Sequence, residues 1–408
     1  MPMRKVEWTP SVTEGEARTG CLSIVRVDEQ GNHIDRIKKI DTPCFFLGSR
    51  AGAPPNFTVD IWNEFKKKCN AVQIEAETIS QFGRGIHDFI AVGEKQNNFR
   101  PRGKPEATGE ERLTETAIYL SFRDPLNYNS ICNVDGLAVS NDAFSFVVRQ
   151  RGKMKLTTHQ GVKLLKDLDG DLIESISMDV PYHVTSKKMR RSVDVSIHIL
   201  DKILESNTGN VLGVIQGGSD ERSRTVSAKE TAKRNVCGFV LGSFGLGEDL
   251  SQQSQMIRWI LPHIPAEKVR FIPGIGTPLQ ILEAVSLGCD VFNSDYPHLI
   301  GEYGQAIIFS TDASVDRPYK INLRDRKFQL DQEPILKGCT CYGCQNHTRA
   351  YVCHLLATHE MLANVLLSVH NCWHYLEFFR EMRESIGRGG FNRFKETFLE
   401  RYYSKAEE

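Results

Sequence analysis

Short apolar segments alternate with helical segments between residues 210 and 310, and this rhythm restricts the fold more than any other feature of the sequence. The segments expected to form strands are residues 211–215, 238–241, 269–272 and 290–293. Such alternation is typical of parallel βαβ units, in which helices cover both faces of the sheet. Four units in succession, each with a glycine-rich or polar turn after its strand, predict a (β/α)8 barrel of the α/β class. An open doubly wound sheet is the alternative.

The turns after these strands are where a barrel of this kind places its working residues. They comprise Gln216-Gly217-Gly218, residues 242–248, residues 274–276 and residues 293–295. The helix after the third strand is the best delimited. Thr277 is its predicted N-cap, Pro278 takes its first position, and Gly288 follows its last turn.

The composition argues against several classes of protein. Lysine plus arginine and aspartate plus glutamate are equal at 51 each, so the net charge gives no general reason to expect nucleic-acid binding. No apolar run reaches the ~20 residues of a membrane span, and residues 1–9 lack the apolar core of a signal peptide. The 11 cysteines suit metal binding in a reducing compartment better than a disulfide framework, so we expect a cytoplasmic or nuclear protein. Residues 95–109 are expected to form a solvated loop.

The strongest chemical signal is a loop that crowds three thiols together, Cys339-Thr340-Cys341-Tyr342-Gly343-Cys344. Zinc prefers four Cys and His ligands in a tetrahedron, and such sites contribute directly to folding. A Cys-x-x-Cys pair alone would also be consistent with a redox site or with chance. Three cysteines in so short a span favour a structural zinc ion.

The fourth ligand has to come from the helical segment downstream, residues 346–386, which contains no Gly or Pro. In one straight helix His370 would lie ~35 Å from the start, at 1.5 Å per residue. A break near residues 357–359, with Thr358 as N-cap of the second helix, would form a hairpin that returns His370 to the cysteine loop. The competing ligands are His347, Cys353, His354 and His359.

These motifs resemble the zinc-binding end of the tRNA-guanine (queuine) transglycosylase family. The family keeps this cysteine spacing, a Ser/Thr-Arg-Ala-Tyr stretch as at residues 348–351, and an apolar-His-Asn motif as at His370-Asn371. Similar motifs extend through most of the chain: Thr42-Pro43-Cys44-Phe45-Phe46, Arg191-Ser192-Val193, Gly213-Val214-Ile215-Gln216-Gly217-Gly218, Gly245-Leu246-Gly247-Glu248 and Gly274-Ile275-Gly276-Thr277-Pro278. The resemblance implies a barrel with one zinc ion per chain, bound by Cys339, Cys341, Cys344 and His370.

We expect the chain to have three parts. Residues 1–310 would form the barrel with an N-terminal β extension, residues 311–386 a zinc-binding helical hairpin subdomain, and residues 387–408 a helical tail. In the tail, Phe391, Phe394 and Phe398 share one helical face, which predicts packing on the barrel ahead of contact with a partner.

Several positions depart from what the family needs to exchange guanine for queuine or a precursor in tRNA. Asn293 stands where the family has its aspartate nucleophile, and a carboxamide lacks the anionic oxygen that attacks the ribose. Ser140 stands at the place of a second aspartate, which acts as base, and Ser177 at that of an aspartate that reads the nucleobase. Pro297-His298-Leu299 replaces a Pro-Thr-Arg motif and so removes an arginine expected near RNA phosphate.

This pattern is similar to that of the accessory, non-catalytic members of the family in eukaryotes. The resemblance implies a heterodimer with a catalytic homologue that acts on the wobble base of tRNAs with G-U-N anticodons. In that case the chain carries no catalytic residue, holds zinc alone as cofactor, and meets tRNA through the complex. A homodimer remains open for the chain alone.

Two other interpretations remain. One is an active enzyme in which Asp142 serves as base and Asp295, on the same face of an extended strand as Asn293, serves as nucleophile. The other is a zinc-bearing RNA-binding protein that acts alone. Two basic groups could contact phosphates, with a solvated helix face as the alternative for each. They are Lys187, Lys188, Arg190 and Arg191, and further on Arg388, Arg393, Lys395 and Arg401.

Overall fold

A computed structural model describes residues 3–49, 54–65, 68–69, 71–75, 116–123, 138–140, 143–148, 152–168, 170–206, 209–312, 314–315 and 317–406. The strands in chain order are β1 (Met3–Glu14), β2 (Ala17–Val27), β3 (His33–Thr42), β4 (Cys44–Ser49), β5 (Ala71–Glu75), β6 (Ala117–Ser121), β7 (Ala138–Val139), β8 (Ala143–Val148), β9 (Gly152–Thr157), β10 (Leu172–Glu174), β11 (Val211–Ile215), β12 (Gly238–Leu241), β13 (Val269–Pro273), β14 (Val291–Asn293), β15 (Gln305–Ile307) and β16 (Lys320–Asn322).

The α-helices in the same ranges are α1 (Val59–Phe65), α2 (Thr158–Leu168), α3 (Ser186–Glu205), α4 (Glu221–Ala232), α5 (Leu250–Ile260), α6 (Pro278–Ser286), α7 (Tyr296–Glu302), α8 (Tyr342–Asn346), α9 (Arg349–Ala357), α10 (Met361–Gly387) and α11 (Phe391–Ala406). The expected loop at residues 95–109 lies outside the described residues. None of the helices described is both long and apolar enough to cross a membrane.

Eight strands close into a barrel in the order β10-β11-β12-β13-β14-β4-β5-β6. Each neighbouring pair is parallel, which confirms the (β/α)8 fold and excludes the open sheet. Helix α6 begins as predicted, with a capping box between Thr277 and Gln280, and Gly288 follows its end with a φ of 87°.

Side chains of the strands alternate between the inside and the outside of the barrel, as the period of a β-strand requires. Inside, the ring of Phe271 lies 5.7 Å from that of Phe46 and 5.2 Å from that of Tyr119, measured between centroids. Outside, Phe45 faces the helices. There it packs on Tyr375 at 5.1 Å and on Phe379 at 5.9 Å.

The antiparallel sheet β1-β2-β3 closes the amino end of the barrel. Apolar side chains of this sheet, among them Trp8 and Leu22, belong to the same buried cluster as the barrel interior. Two buried carboxylates at the amino ends of strands hold the sheet in place. Asp171, just before β10, accepts from Lys38 at 2.6 Å, and Asp290, just before β14, accepts from Arg18 at 2.5 Å.

The C-terminal helices pack on the outside of the barrel. Phe391 and Phe398 of α11 are buried, and the ring of Phe398 lies 5.5 Å from that of Phe378 in α10. This confirms the packing predicted for the aromatic face of the tail. The second half of α10 packs on β4, so one helix contributes to both the cysteine-containing segment and the barrel. The domain limits at residues 310 and 386 stay predictions.

Candidate functional site

The cysteine loop and His370 meet in one cluster that could hold a metal ion. Their ligand atoms all lie within 4.8 Å of one another. Nδ1 of His370 lies 3.8 Å from Sγ of Cys339, 3.5 Å from that of Cys341 and 3.3 Å from that of Cys344. A tetrahedral zinc ion with Zn–S of ~2.3 Å and Zn–N of ~2.0–2.1 Å requires S···N separations of about 3.6 Å. The four donors therefore fit zinc in both chemistry and spacing.

The electrostatics of the cluster favour a thiolate. Hydrogen bonds from the thiols of Cys341 and Cys344 hold the pKa of the Cys339 thiol well below its ordinary value, although burial opposes this shift. The hydrogen bond to Cys339 raises the pKa of the Cys341 thiol in turn, and Sγ of Cys341 also accepts from the backbone N–H of Cys344 at 3.3 Å. Thiolate is the form in which cysteine binds zinc.

A helical hairpin brings His370 to the cysteines, as predicted. Helix α9 ends at Ala357, the chain reverses through His359 with a φ of 58°, and α10 begins at Met361. The prediction for Thr358 is wrong. Its hydroxyl donates to the carbonyl of His354 at 3.0 Å and so belongs to the end of α9, while Glu360 takes the N-cap position of α10.

The histidine is oriented by a hydrogen bond on its far side. Nε2 of His370 donates to the carbonyl of Ile307 at 2.9 Å, which leaves Nδ1 to face the thiols. The next residue contributes as well, because Oδ1 of Asn371 accepts from the N–H of Ile307 at 2.8 Å. We did not predict this role of Asn371, although the His-Asn motif points to it.

The competing ligands lie elsewhere. The ring of His347 stacks on Tyr351 at 5.1 Å, and Sγ of Cys353 lies 3.8 Å from the carbonyl of Asp325. His354 and His359 occupy the exposed end of α9 and the turn after it. Within the described ranges, none of these four residues belongs to a group that could hold a metal.

Asn293 ends β14 at the carboxyl side of the barrel, where the resemblance places a nucleophile. It is buried, and its Nδ2 donates to the carbonyl of Phe46 at 3.0 Å. The carboxamide therefore links β14 to β4. The expectation for Asp295 rested on a shared strand face, and this premise is wrong. The strand stops at Asn293, and Asp295 adopts a helical conformation at the N-cap position of α7.

Ser140 closes a turn in the small sheet β7-β8-β9. Its hydroxyl donates to the carbonyl of Ala143 at 2.9 Å and accepts from the N–H of Ala143 at 3.2 Å. Among the residues the structure describes, no hydrogen bond joins Ser140 to Ser177 or Asn293. Asp142, the suggested substitute base, lies outside the described residues. His298 is buried with its Nε2 3.8 Å from Sγ of Cys372, so its ring packs inside the protein.

The mouth of the barrel holds a buried arginine that the sequence analysis did not identify. Arg123 follows β6, is 5% exposed, and pairs through Nε with Glu174 and through Nη1 with Asp179. Its Nη2 donates to Oγ of Ser177 at 2.9 Å. Ser177, which the resemblance places at a base-reading position, is thus a partner of an arginine of the same chain.

Further hydrogen bonds hold the partners of Arg123 in place. Nε2 of Gln216 donates to Oδ1 of Asp179 at 2.7 Å and to Oγ of Ser177 at 3.0 Å. The hydroxyl of Ser243 donates to Oε1 of Gln216 at 2.6 Å. The turn after β12 approaches closely here, since a Cβ at Gly242 would lie 2.5 Å from Nε2 of Gln216. With Arg123, the network draws on the carboxyl ends of four neighbouring strands: β6, β10, β11 and β12.

The two basic groups differ in their surroundings. Lys187, Lys188, Arg190 and Arg191 are exposed at the start of α3, and the structure records no ion pair for them among the described residues. In the second group, Arg388 pairs with Glu384 at 3.2 Å and Lys395 with Glu283 at 2.5 Å. The first group therefore has its charges available for a ligand.

Comparison with known proteins gives consistent matches over the chain. A family model described as "Queuine tRNA-ribosyltransferase" matches residues 14–404. The queuine tRNA-ribosyltransferase accessory subunit 2 of Homo sapiens is 31% identical over 90% of this chain and 94% of its own length. That of Danio rerio is 28% identical over 89% of this chain and 92% of its own length. The queuine tRNA-ribosyltransferase of Desulforapulum autotrophicum is 29% identical, over 59% of this chain and 65% of its own length.

Proposed function

The chain belongs to the queuine tRNA-ribosyltransferase family, and from this premise we propose that it is an accessory, non-catalytic member of that family. In this proposal it forms a heterodimer with a catalytic homologue. The homologue exchanges guanine for queuine at the wobble position of tRNAs with G-U-N anticodons. This chain supports assembly of the complex and binding of the tRNA, and it acts in the cytoplasm.

The observation that carries the proposal is the use of Asn293. A nucleophile at this position would need a carboxylate free to reach a ribose carbon. Here the amide is buried and donates to the carbonyl of Phe46, which is a structural task. The relatives named accessory subunit 2, matched over about nine-tenths of this chain, support the same conclusion.

We assign the metal centre a structural role within this proposal. One Zn²⁺ per chain would be held by Cys339, Cys341, Cys344 and His370. Four protein ligands leave no open position for water or substrate, and a closed site is typical of structural zinc. The ion would join the cysteine loop to α10 and, through Ile307 on the far side of His370, to β15.

Contact with tRNA is proposed for the exposed basic residues at the start of α3. A helix that follows a barrel strand begins at the carboxyl face, so these cations lie on the rim of the barrel mouth. The amino end of a helix favours phosphate through its free N–H groups and its dipole. Thr185 caps this helix by accepting from the backbone N–H of Lys188, and the side chain of Lys188 is exposed.

Association with a catalytic homologue is the property to test first. The full chain is mixed with a purified catalytic family member, and the molar mass of the product is measured by size-exclusion chromatography with light scattering. A 1:1 complex supports the proposal. Two separate species, with this chain unchanged as a monomer or homodimer, would contradict it.

A further inference from the structure

Arg123 places a planar cation in the barrel mouth, at the face where ligands enter this fold. We propose that its guanidinium group occupies, in cis, a pocket whose acceptors fit the guanidine edge of a free guanine base. The side chain thereby closes the barrel to that base. This goes beyond the proposed function, because it concerns a ligand of the isolated chain and requires no partner subunit.

The acceptors around Arg123 form a set suited to a flat array of N–H donors. The carboxylates of Glu174 and Asp179 and the hydroxyl of Ser177 face its Nε, Nη1 and Nη2. Glutamate and aspartate in their ionised forms accept hydrogen bonds and donate none. A ligand for this pocket must therefore present several coplanar N–H groups, as guanidinium does.

Guanine carries the same grouping on one edge. Its N1–H and its exocyclic amino group flank one carbon, so their hydrogens point in parallel, as those of an arginine fork do. A carboxylate can accept both at once, whereas adenine presents one acceptor and one donor on the corresponding edge. The arrangement around Arg123 thus distinguishes guanine from adenine by the same chemistry that holds the guanidinium.

The acceptors are fixed by residues other than Arg123, so the pocket does not depend on this side chain alone. Glu174 also accepts from the hydroxyls of Tyr119 and of Ser121, the latter at 2.8 Å. Asp179 accepts from Nε2 of Gln216 at 2.7 Å and from the N–H of Ser243 at 3.2 Å. We therefore expect the acceptors to remain in position when Arg123 is shortened.

A tethered occupant competes strongly with a free one. The side chain is held at the pocket by its own backbone, where the carbonyl of Arg123 accepts from Nε2 of Gln73 at 3.1 Å. Linking a ligand to its site gives an effective concentration of order mM or higher, which a base present at micromolar concentration cannot match. The wild-type chain should therefore bind no guanine.

The test uses the full chain and the variants Arg123→Ala and Arg123→Met, with radiolabelled guanine and adenine in equilibrium dialysis. Arg123→Ala should bind guanine saturably at concentrations at which the wild-type chain binds none, and it should not bind adenine. Arg123→Met keeps a side chain of similar length without donors, so it should bind neither base. Guanidinium at a non-denaturing concentration should raise the Tm of Arg123→Ala by roughly 2–4 °C, and urea should not.

Arg123→Ala leaves two carboxylates without their cation, so a second variant, Arg123→Ala with Asp179→Asn, removes one of them. Guanine binding by either folded variant supports the proposal. A folded Arg123→Ala variant that binds no guanine would overturn it, whether or not guanidinium stabilises the variant, since the site would then be an ion pair and nothing more. Saturable guanine binding by the wild-type chain would overturn it without any variant.

Discussion

Asn293 contributes to the barrel through its amide nitrogen, which a carboxylate could not replace. Its N–H donates to the carbonyl of Phe46 across the junction of β14 and β4. The position is 4% exposed, so no water is available to compensate for a lost donor. An aspartate at this position, where the resemblance places a nucleophile, would therefore set an anionic oxygen against a carbonyl oxygen.

We predict that Asn293→Asp lowers the free energy of unfolding by about 1–3 kcal/mol at neutral pH, the cost of a buried group without its partner. A protonated carboxyl can donate to the carbonyl of Phe46, so the loss should shrink as the pH falls from about 8 to about 5. Denaturant unfolding at both pH values measures this.

Asn346→Asp is the control for this experiment. The amide of Asn346 also donates to a backbone carbonyl, that of Tyr342 at 2.9 Å, but at an exposed position. Its replacement should cost less than about 0.5 kcal/mol. Equal stability of Asn293→Asp and wild type at both pH values would contradict the role given to Asn293.

Among the secondary-structure elements, the helical hairpin was predictable because the length of a straight helix follows directly from its number of residues. A straight helix could not return His370 to the loop, so a break near residue 358 was required, and α9 and α10 meet there. The capping residue was not predictable in the same way. Thr358 can close the preceding helix as well as open the next one, and it closes α9.

We predict that Cys341→Ser reduces the zinc content of the purified chain well below one ion and lowers its Tm. Loss of a structural zinc ion removes binding energy of order ~10 kcal/mol that is linked to folding. Cys353→Ser is the control, because Cys353 is buried but lies outside the cluster, and it should retain zinc. Metal analysis gives the stoichiometry. A His370→Ala variant with a full zinc content would contradict the fourth ligand.

The sheet β1-β2-β3 offers a test of how the amino end is closed. Arg18 pairs with Asp290, and both side chains are almost fully buried. Burial raises the pKa of Asp290 above its ordinary value even though Arg18 opposes the shift, so the carboxylate depends on its partner.

We predict that Arg18→Ala destabilises the chain by about 3–5 kcal/mol, as expected when one member of a buried ion pair is removed. Arg18→Ala combined with Asp290→Ala should cost less than the sum of the two single changes, because the carboxylate that lost Arg18 is removed as well. Denaturant unfolding of the four proteins completes the cycle. Strict additivity of the two changes would show that the pair is not coupled.

At the scale of the whole molecule, periodicity and turn chemistry predict the barrel because each βα unit is defined by nearby residues. The network around Arg123 could not be predicted in this way. Its hydrogen bonds to Glu174, Ser177 and Asp179 join residues 51 to 56 positions apart, and only closure of the barrel brings them together. The error over Asp295 has a similar cause, since where β14 ends depends on its neighbours in the sheet.

The basic rim at the start of α3 gives a prediction for the assembled complex. Lys187→Glu with Lys188→Glu should weaken tRNA binding and reduce the slope of log affinity against log salt by about one per lost phosphate contact. Arg388→Glu with Arg393→Glu makes the same change of charge in the second basic group and should have little effect. Titration of labelled tRNA at several salt concentrations measures both variants. Equal effects of the two pairs would contradict a specific role for the rim.

Incorporation of labelled queuine or guanine into a tRNA with a G-U-N anticodon tests the proposal that this barrel supports base exchange without performing it. The assay compares this chain, a catalytic homologue and their mixture. We expect no turnover by this chain, because in the proposed function it lacks the carboxylate nucleophile, and loss of acid–base help costs a further ~10²–10⁴-fold. The proposed function also implies that the mixture exceeds the homologue alone. Robust turnover by this chain alone, abolished by Asp295→Ala, would contradict it.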